Sequence, residues 1–137
     1  MSLFRVFEVS GSALTAQSVR LNLVASNLAN VESAARTPEE AYKARHPVFE
    51  AVLKDQLDKQ KSLGVTVSDI ITSDAPARRV YEPEHPMANE EGYIFMPNVN
   101  SVEEMTNMMS ASRSFQMNVQ VMDSVKELLA KTLRLGE

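Results

Sequence analysis

The sequence predicts a mainly α-helical protein with a small β-rich insertion, its long N- and C-terminal helices pairing in a coiled-coil-like way. Three observations lead there. Val9 to Val31 carries a single charge, Arg20, and Met105 to Met122 carries a single charge, Arg113. Both stretches lack proline, and in both the apolar residues recur in steps of three and four. Between them the pattern changes to short alternating apolar runs broken by Pro and Gly, as strands and turns require. The chain therefore divides into an N-terminal helix of an inner domain (1–33), a small β-rich outer segment with loops (34–100) and a C-terminal helix of the inner domain (101–137).

The first helix is expected from about Leu3 to Asn30. Leu3, Phe7, Ser10, Leu14, Gln17, Leu21, Val24, Leu28 and Val31 form a seven-residue seam in which seven of nine positions are apolar. At 1.5 Å per residue this helix is ~40 Å long, more than a domain this small can cover on every side. Ala13, Ala16, Ala25, Ala29, Ser12, Ser18 and Ser26 flank the seam and allow a second and third helix to come close. Asn27, Asn30 and Glu32-Ser33 weaken the helix, because short polar side chains compete for backbone hydrogen bonds.

In the middle, Ala34 to Glu40 reads as a loop and Asp55 to Lys61 as a charged helical turn or loop. Tyr42 to Leu53 is ambiguous. Tyr42 to Phe49, with its His-Pro step, suits an extended segment, while Phe49, Val52, Leu53 and Leu57 suit a helix. Gly64 to Thr72, Arg78 to Glu82 and Tyr93 to Met96 alternate as strands do, and Pro97 stops the last of them. The second helix is expected to open with a capping box at Ser101-Val-Glu-Glu104, in which Glu104 reaches back to the cap. Its seam is Met108, Ala111, Phe115, Asn118, Met122, Val125, Leu129 and Thr132, widened by Met105, Val119, Val121, Leu128 and Leu135. Gly136 is the expected stop, with Lys131 and Arg134 favoured by the helix dipole.

Charge-poor helices with Ser, Asn and Gln on every side are neither monomer surface helices nor membrane spans. They suit burial among other protein, which points to an assembly built through the two chain ends. The candidate interface residues are Leu14, Leu21, Asn27, Leu28, Asn30, Met108, Phe115, Asn118, Met122 and Leu129. Leu21 and Leu28 are expected to face Phe115, Met122 and Leu129 of the same chain. Asn27, Asn30 and Asn118 are expected to fix register, as single buried asparagines do. Met105, Met108, Met109, Met117 and Met122 fill a core or form an adaptable surface. Before assembly both helices are expected to be mobile.

The formal net charge of −4 argues against a nucleic-acid partner. It resides in residues 37–100, where seven basic groups meet eleven acidic ones. The absence of cysteine excludes a disulfide framework and thiolate metal sites. His46 and His85 each precede proline without paired ligands, a pattern of exposed loop residues and not of zinc. Gly-x-Ser-x-Gly and Gly-rich phosphate loops are absent, and the adjacent acidic pairs are not spaced for acid–base work. No catalytic residue, cofactor or metal is therefore expected. The opening Met-Ser-Leu-Phe-Arg-Val-Phe is not a signal peptide, so export would keep the N-terminus. A soluble coiled-coil adaptor or export chaperone is the competing class. It predicts a stable dimer and more charge on the helices.

Two segments carry a resemblance. Gly11 to Asn22 followed by Ser26-Asn-Leu-Ala-Asn30 resembles the N-terminal signature of the bacterial flagellar rod and hook axial family. Met109 to Asn118 followed by Lys131 to Gly136 resembles its C-terminal signature. Val80 to Asn89, Gly92 to Asn100 and Glu104-Met105 are similar to the short proximal-rod members of the C type. The chain departs from relatives at Thr37 to Tyr42, where a Gly-containing turn is usual, and across Gln56 to Ser62. The resemblance implies a basal-body rod subunit that crosses the periplasm, exported unfolded without a cleaved signal. It also implies helices lining a channel, an outer middle segment and a hollow shaft that transmits torque. The partners so implied are further copies, other rod proteins, an export-gate adaptor at the base and distal-rod proteins above.

Overall fold

The computed structural model describes residues 3–53 and 62–136. In chain order the elements are helix α1 (Leu3–Ala29), strands β1 (Arg45–Leu53), β2 (Ser62–Thr72), β3 (Arg78–Tyr81) and β4 (Tyr93–Met96), and helix α2 (Ser101–Leu135). Two long helices thus enclose, in sequence, a small antiparallel β region. The extended reading of the ambiguous segment holds from Arg45 onward, because the residue before Pro47 is pushed out of the helical region. The expectation for Asp55 to Lys61 lies outside the described residues.

The helices run antiparallel. Arg20 donates to Asn107 Oδ1 at 3.1 Å, and Asn27 donates to Glu104 Oε2 at 3.1 Å, so residues advance on α1 as they retreat on α2. That register corrects the expected seam. Leu21 lies at the level of Met108, Leu14 at the level of Phe115, and Leu28 near the start of α2. Met122 falls near Phe7, and Leu129 lies beyond Leu3. The pairing is the only one open to helices whose connected ends, Ala29 and Ser101, are held together by the middle of the chain.

β1 and β2 form an antiparallel ribbon from Arg45↔Thr72 to Leu53↔Ser62, with irregularities at Val48/Phe49 and Val52/Leu53. The ribbon lies along α1. At one end Asn27 bonds the backbone of Arg45; at the other the Val65 N–H donates to Ser12 Oγ at 3.1 Å. The lengths agree: Arg45 to Val52 is about 23 Å of strand, and Ser12 to Asn27 is about 22 Å of helix. β3 and β4 form a second hairpin, and Ala35 bridges the far edge of β4 at Phe95. Arg79 lies 3.6 Å from the Tyr93 ring centroid and pairs with Glu91 at 3.2 Å. Arg79 and Glu91 thus engage each other across the hairpin.

The core is small in both senses. Ala16, Leu23, Val24, Ala111 and Val125 are buried between the helices and the ribbon, and Ala35, Ala41, Ala44 and Ile94 beneath the loops. Alanine at so many buried sites lets backbones approach closely but removes little apolar area from water. The largest fully buried side chain is polar, Asn27.

The start of α2 differs from the expected capping box. Asn100 is the cap: its Oδ1 accepts from the Val102 N–H at 3.1 Å and the Glu103 N–H at 3.2 Å. Glu104 does not reach back, because its carboxyl group is turned inward to Asn27. Asn100→Ala is expected to cost about 1 kcal/mol, measured as a shift in the denaturant midpoint, whereas Ser101→Ala should be near neutral. Gly136 follows the helix as expected, but with φ −91° and ψ −2° and not in the left-handed region. His46 is part of β1, and His85 Nδ1 accepts from the Met87 N–H at 3.0 Å; both are half-buried and not loose.

Candidate assembly interface

The predicted interface residues fall into two groups. Leu14, Leu21, Leu28, Met108, Phe115, Met122 and Leu129 are half-buried, and those on α2 share its inward face with Ala111 and Val125. Asn30 and Asn118 are also half-buried, and each turns its amide back to its own helix. Asn30 Nδ2 donates to the Ser26 carbonyl and Asn118 Nδ2 to the Ser114 carbonyl, both at 2.8 Å.

Asn27 stands apart. It is 0% exposed within a single chain. An asparagine amide can donate twice and accept twice, and here every position is filled. Nδ2 donates to the Arg45 carbonyl at 3.0 Å and Glu104 Oε2 at 3.1 Å. Oδ1 accepts from Tyr42 Oη at 2.9 Å and the Arg45 N–H at 3.0 Å. Around it, Ser26 Oγ receives the Arg45 guanidinium at 2.9 Å and lies 3.3 Å from Tyr42 Oη. One residue therefore ties α1, the following loop, β1 and α2 together. Glu104, 3% exposed, has this amide as a partner. Asn98 does similar work nearby, accepting from the Ala44 N–H and donating to the Ala75 carbonyl, both at 2.8 Å.

The outward faces are charge-poor and apolar. On α2 the exposed large residues include Val102, Met105 and Met109 on one flank and Met117, Val121 and Leu128 on another. At 100° per residue the two flanks are about a third of a turn apart. Between them Arg113, itself exposed, is the one charge as far as Met122, after which Glu127 and Lys131 follow on the same outer face. The exposed face of α1 carries Phe4, Phe7, Thr15, Asn22, Ala25 and Ala29, with Glu8 its one charged residue. Methionine exposed in rows presents long, adaptable apolar side chains to whatever packs there. The sequence had marked Val121 and Leu128 only as a widening of the seam, and Met105 also as part of a core or an adaptable surface. It missed Glu104, Tyr42, Arg45 and Asn98 as parts of one junction, since nothing local joins them.

The termini and the middle together match known proteins. Residues 90–135 match the family model for the C-terminal part of flagellar basal body rod FlgEFG proteins, and residues 7–32 that for flagella basal body rod proteins. Over 137 residues the chain is 48% identical to the flagellar basal-body rod protein FlgC of Escherichia coli O6:H1, and 47% identical to that of Salmonella typhimurium strain LT2. It is 35% identical over 150 aligned positions to FlgC of Bacillus subtilis strain 168. In each case the whole of both chains is covered. The chain belongs to the flagellar basal-body rod protein family. It is a structural rod subunit of the flagellar basal body. Within the Ser26-Asn-Leu-Ala-Asn30 run, which lies in the N-terminal match, Ser26 and Asn27 build the junction described above. Among the described residues no helix is long and apolar enough to cross a membrane, and no group of three or more His, Cys, Asp or Glu could hold a metal ion.

Proposed function

We propose that the chain polymerises, with copies of itself and with other rod proteins, into a hollow helical shaft that transmits torque and encloses an export channel. The observation that carries this reading is the charge-poor, apolar outer surface of both helices, which exposes Met105, Met109, Met117, Val121 and Leu128. A lone monomer would not keep such a surface in water. In this reading residues 1–33 and 101–137 form the inner domain and residues 34–100 the outer segment. The neighbours are an export-gate adaptor at the base and distal-rod proteins above. The chain is exported without a cleaved signal, catalyses nothing and needs no cofactor. Leu14, Leu21, Leu28, Phe115, Met122 and Leu129 support the interface by holding the helix pair in shape. Asn27, Asn30 and Asn118 support it through local geometry.

The test separates folding from assembly. Met109→Asp and Met117→Asp place a charge on an exposed flank. Surface substitutions of this kind are expected to change monomer stability by about 0.5 kcal/mol or less. They should nevertheless abolish incorporation into basal bodies and motility, scored by purification of basal bodies and by swimming. Normal swimming by the double variant would refute assembly through these flanks.

A further inference from the structure

The exposed flanks of α2 carry chemistry as well as apolar area. The chain has no cysteine and no tryptophan, so its methionine thioethers are the side chains most readily attacked by a two-electron oxidant. The structure sorts them. Met105, Met109 and Met117 are 56%, 58% and 59% exposed, and Met105 and Met109 lie about one turn apart on one flank. Met108 and Met122, on the same helix, are half-buried on its inward face. Val121 and Leu128 present apolar area beside Met117 but have no sulfur to oxidise. Oxidation changes what the flanks can pack against. A thioether is flexible and apolar, whereas a sulfoxide carries a polar acceptor oxygen. Covering that oxygen with apolar side chains strips it of water and offers no donor in exchange.

We infer that Met105, Met109 and Met117 are a reversible oxidation site through which hydroperoxides withhold free subunits from assembly. The inference rests on assembly through these flanks, as proposed above. In the forward step a sulfur lone pair attacks one oxygen of hydrogen peroxide and the O–O bond breaks. The transferred oxygen gives its proton to the departing hydroxide, which leaves as water. Sulfur loses two electrons and the peroxide gains them. In the reverse step a methionine sulfoxide reductase returns the thioether, with two thiols supplying the electrons and becoming a disulfide, and the oxygen leaving as water.

Hydrogen peroxide on the folded, full-length monomer is the direct probe, read by mass spectrometry of proteolytic peptides. Met105, Met109 and Met117 should each gain an oxygen more than about fivefold faster than Met108 and Met122. Equal rates would overturn the site. The consequence is read in cells that build basal bodies under sublethal peroxide. The unsubstituted chain is compared with one carrying Met105→Leu, Met109→Leu and Met117→Leu, which keeps the flanks apolar and removes the sulfur. Without peroxide both chains should enter basal bodies and support swimming. With peroxide, incorporation of the unsubstituted chain should fall by about threefold or more while the leucine variant holds its level. Sulfoxide at the three sites should then be found in the unassembled pool and not in basal bodies. Extra methionine sulfoxide reductase should restore incorporation of the unsubstituted chain, an arm that needs no substitution. Equal losses in both chains, sulfoxide at these sites in basal bodies at the level of the unassembled pool, or no rescue by the reductase would overturn the inference and leave polymerisation intact. Normal swimming by Met109→Asp with Met117→Asp would overturn assembly through the flanks, and this inference with it.

Discussion

Asn27→Leu is expected to be the most damaging single change in the chain, costing roughly 3–5 kcal/mol of stability. The cost comes from its partners. The Glu104 carboxyl would lose a buried bond, and the Tyr42 hydroxyl and both backbone groups of Arg45 would each lose a part-buried one. An unsatisfied buried polar group costs about 1–3 kcal/mol, and a buried carboxylate stripped of its partner costs more. Leucine gains helix propensity over asparagine, but only by tenths of a kcal/mol. Urea unfolding of the purified monomer would read the loss, and swimming assays its consequence. Tyr42→Phe removes the hydroxyl's bond to Asn27 and its longer contact with Ser26 Oγ, leaves Glu104 and Arg45 their bonds to Asn27, and should cost about 1 kcal/mol. Asn27→Leu combined with Glu104→Leu should recover part of the loss, since both ends of that bond then become apolar. A midpoint unchanged in Asn27→Leu would show that the junction does not hold the fold.

Gly64→Val should detach the β1–β2 ribbon from α1. Gly64 has φ +138°, and a Cβ built on it would lie 2.1 Å from Ser12 Oγ and 2.9 Å from Ser12 Cβ. Neither the backbone angle nor the space admits an L side chain. Ser12 cannot simply turn away, because its Oγ accepts from the Val65 N–H at 3.1 Å and donates to the Val9 carbonyl at 2.8 Å. We expect a loss of roughly 2–4 kcal/mol, at the upper range for point changes that strain the backbone. Amide exchange should show Val65 and Val67 losing protection while Leu23 and Val24 keep theirs. Gly64→Ala paired with Ser12→Gly removes the clash but not the strained φ, so it should recover only part of the stability. Full recovery would assign the whole effect to crowding; retained ribbon protection in Gly64→Val would show that the dock is not required.

Both changes act at places that sequence reading approached from the wrong side. Asn27 stood out as an amide in a charge-free helix, and a register role between subunits seemed the natural use of it. Its four bonds are all spent inside the chain, so any influence on assembly passes through the fold. Glu104 looked like half of a capping box because it follows Ser101 at the right spacing. Spacing along a helix cannot reveal that Asn27, 77 positions earlier, offers that carboxyl a buried donor. Gly64 was read only as a strand-opening punctuation mark, since its fit depends on Ser12 on another element.

Local periodicity determined the elements themselves. Steps of three and four placed both helices within a residue or two of their bounds, and alternation between Pro and Gly punctuation placed β2, β3 and β4 but left the β1 segment open between strand and helix. Charge distribution by itself raised the expectation that the ends are enclosed in an assembly and the middle solvated, because a charge-poor helix lacks the polar face that water favours. Those inferences need only neighbours a turn or a pleat away. Tertiary structure alone decided the antiparallel register, and with it that Leu21 meets the level of Met108 and not Phe115. It alone separated the methionines turned inward, Met108 and Met122, from those left bare, Met105, Met109 and Met117. The reason is physical: heptad spacing fixes which residues share a face, but not what that face meets. That choice is made where distant groups satisfy one another, here at the single buried amide of Asn27.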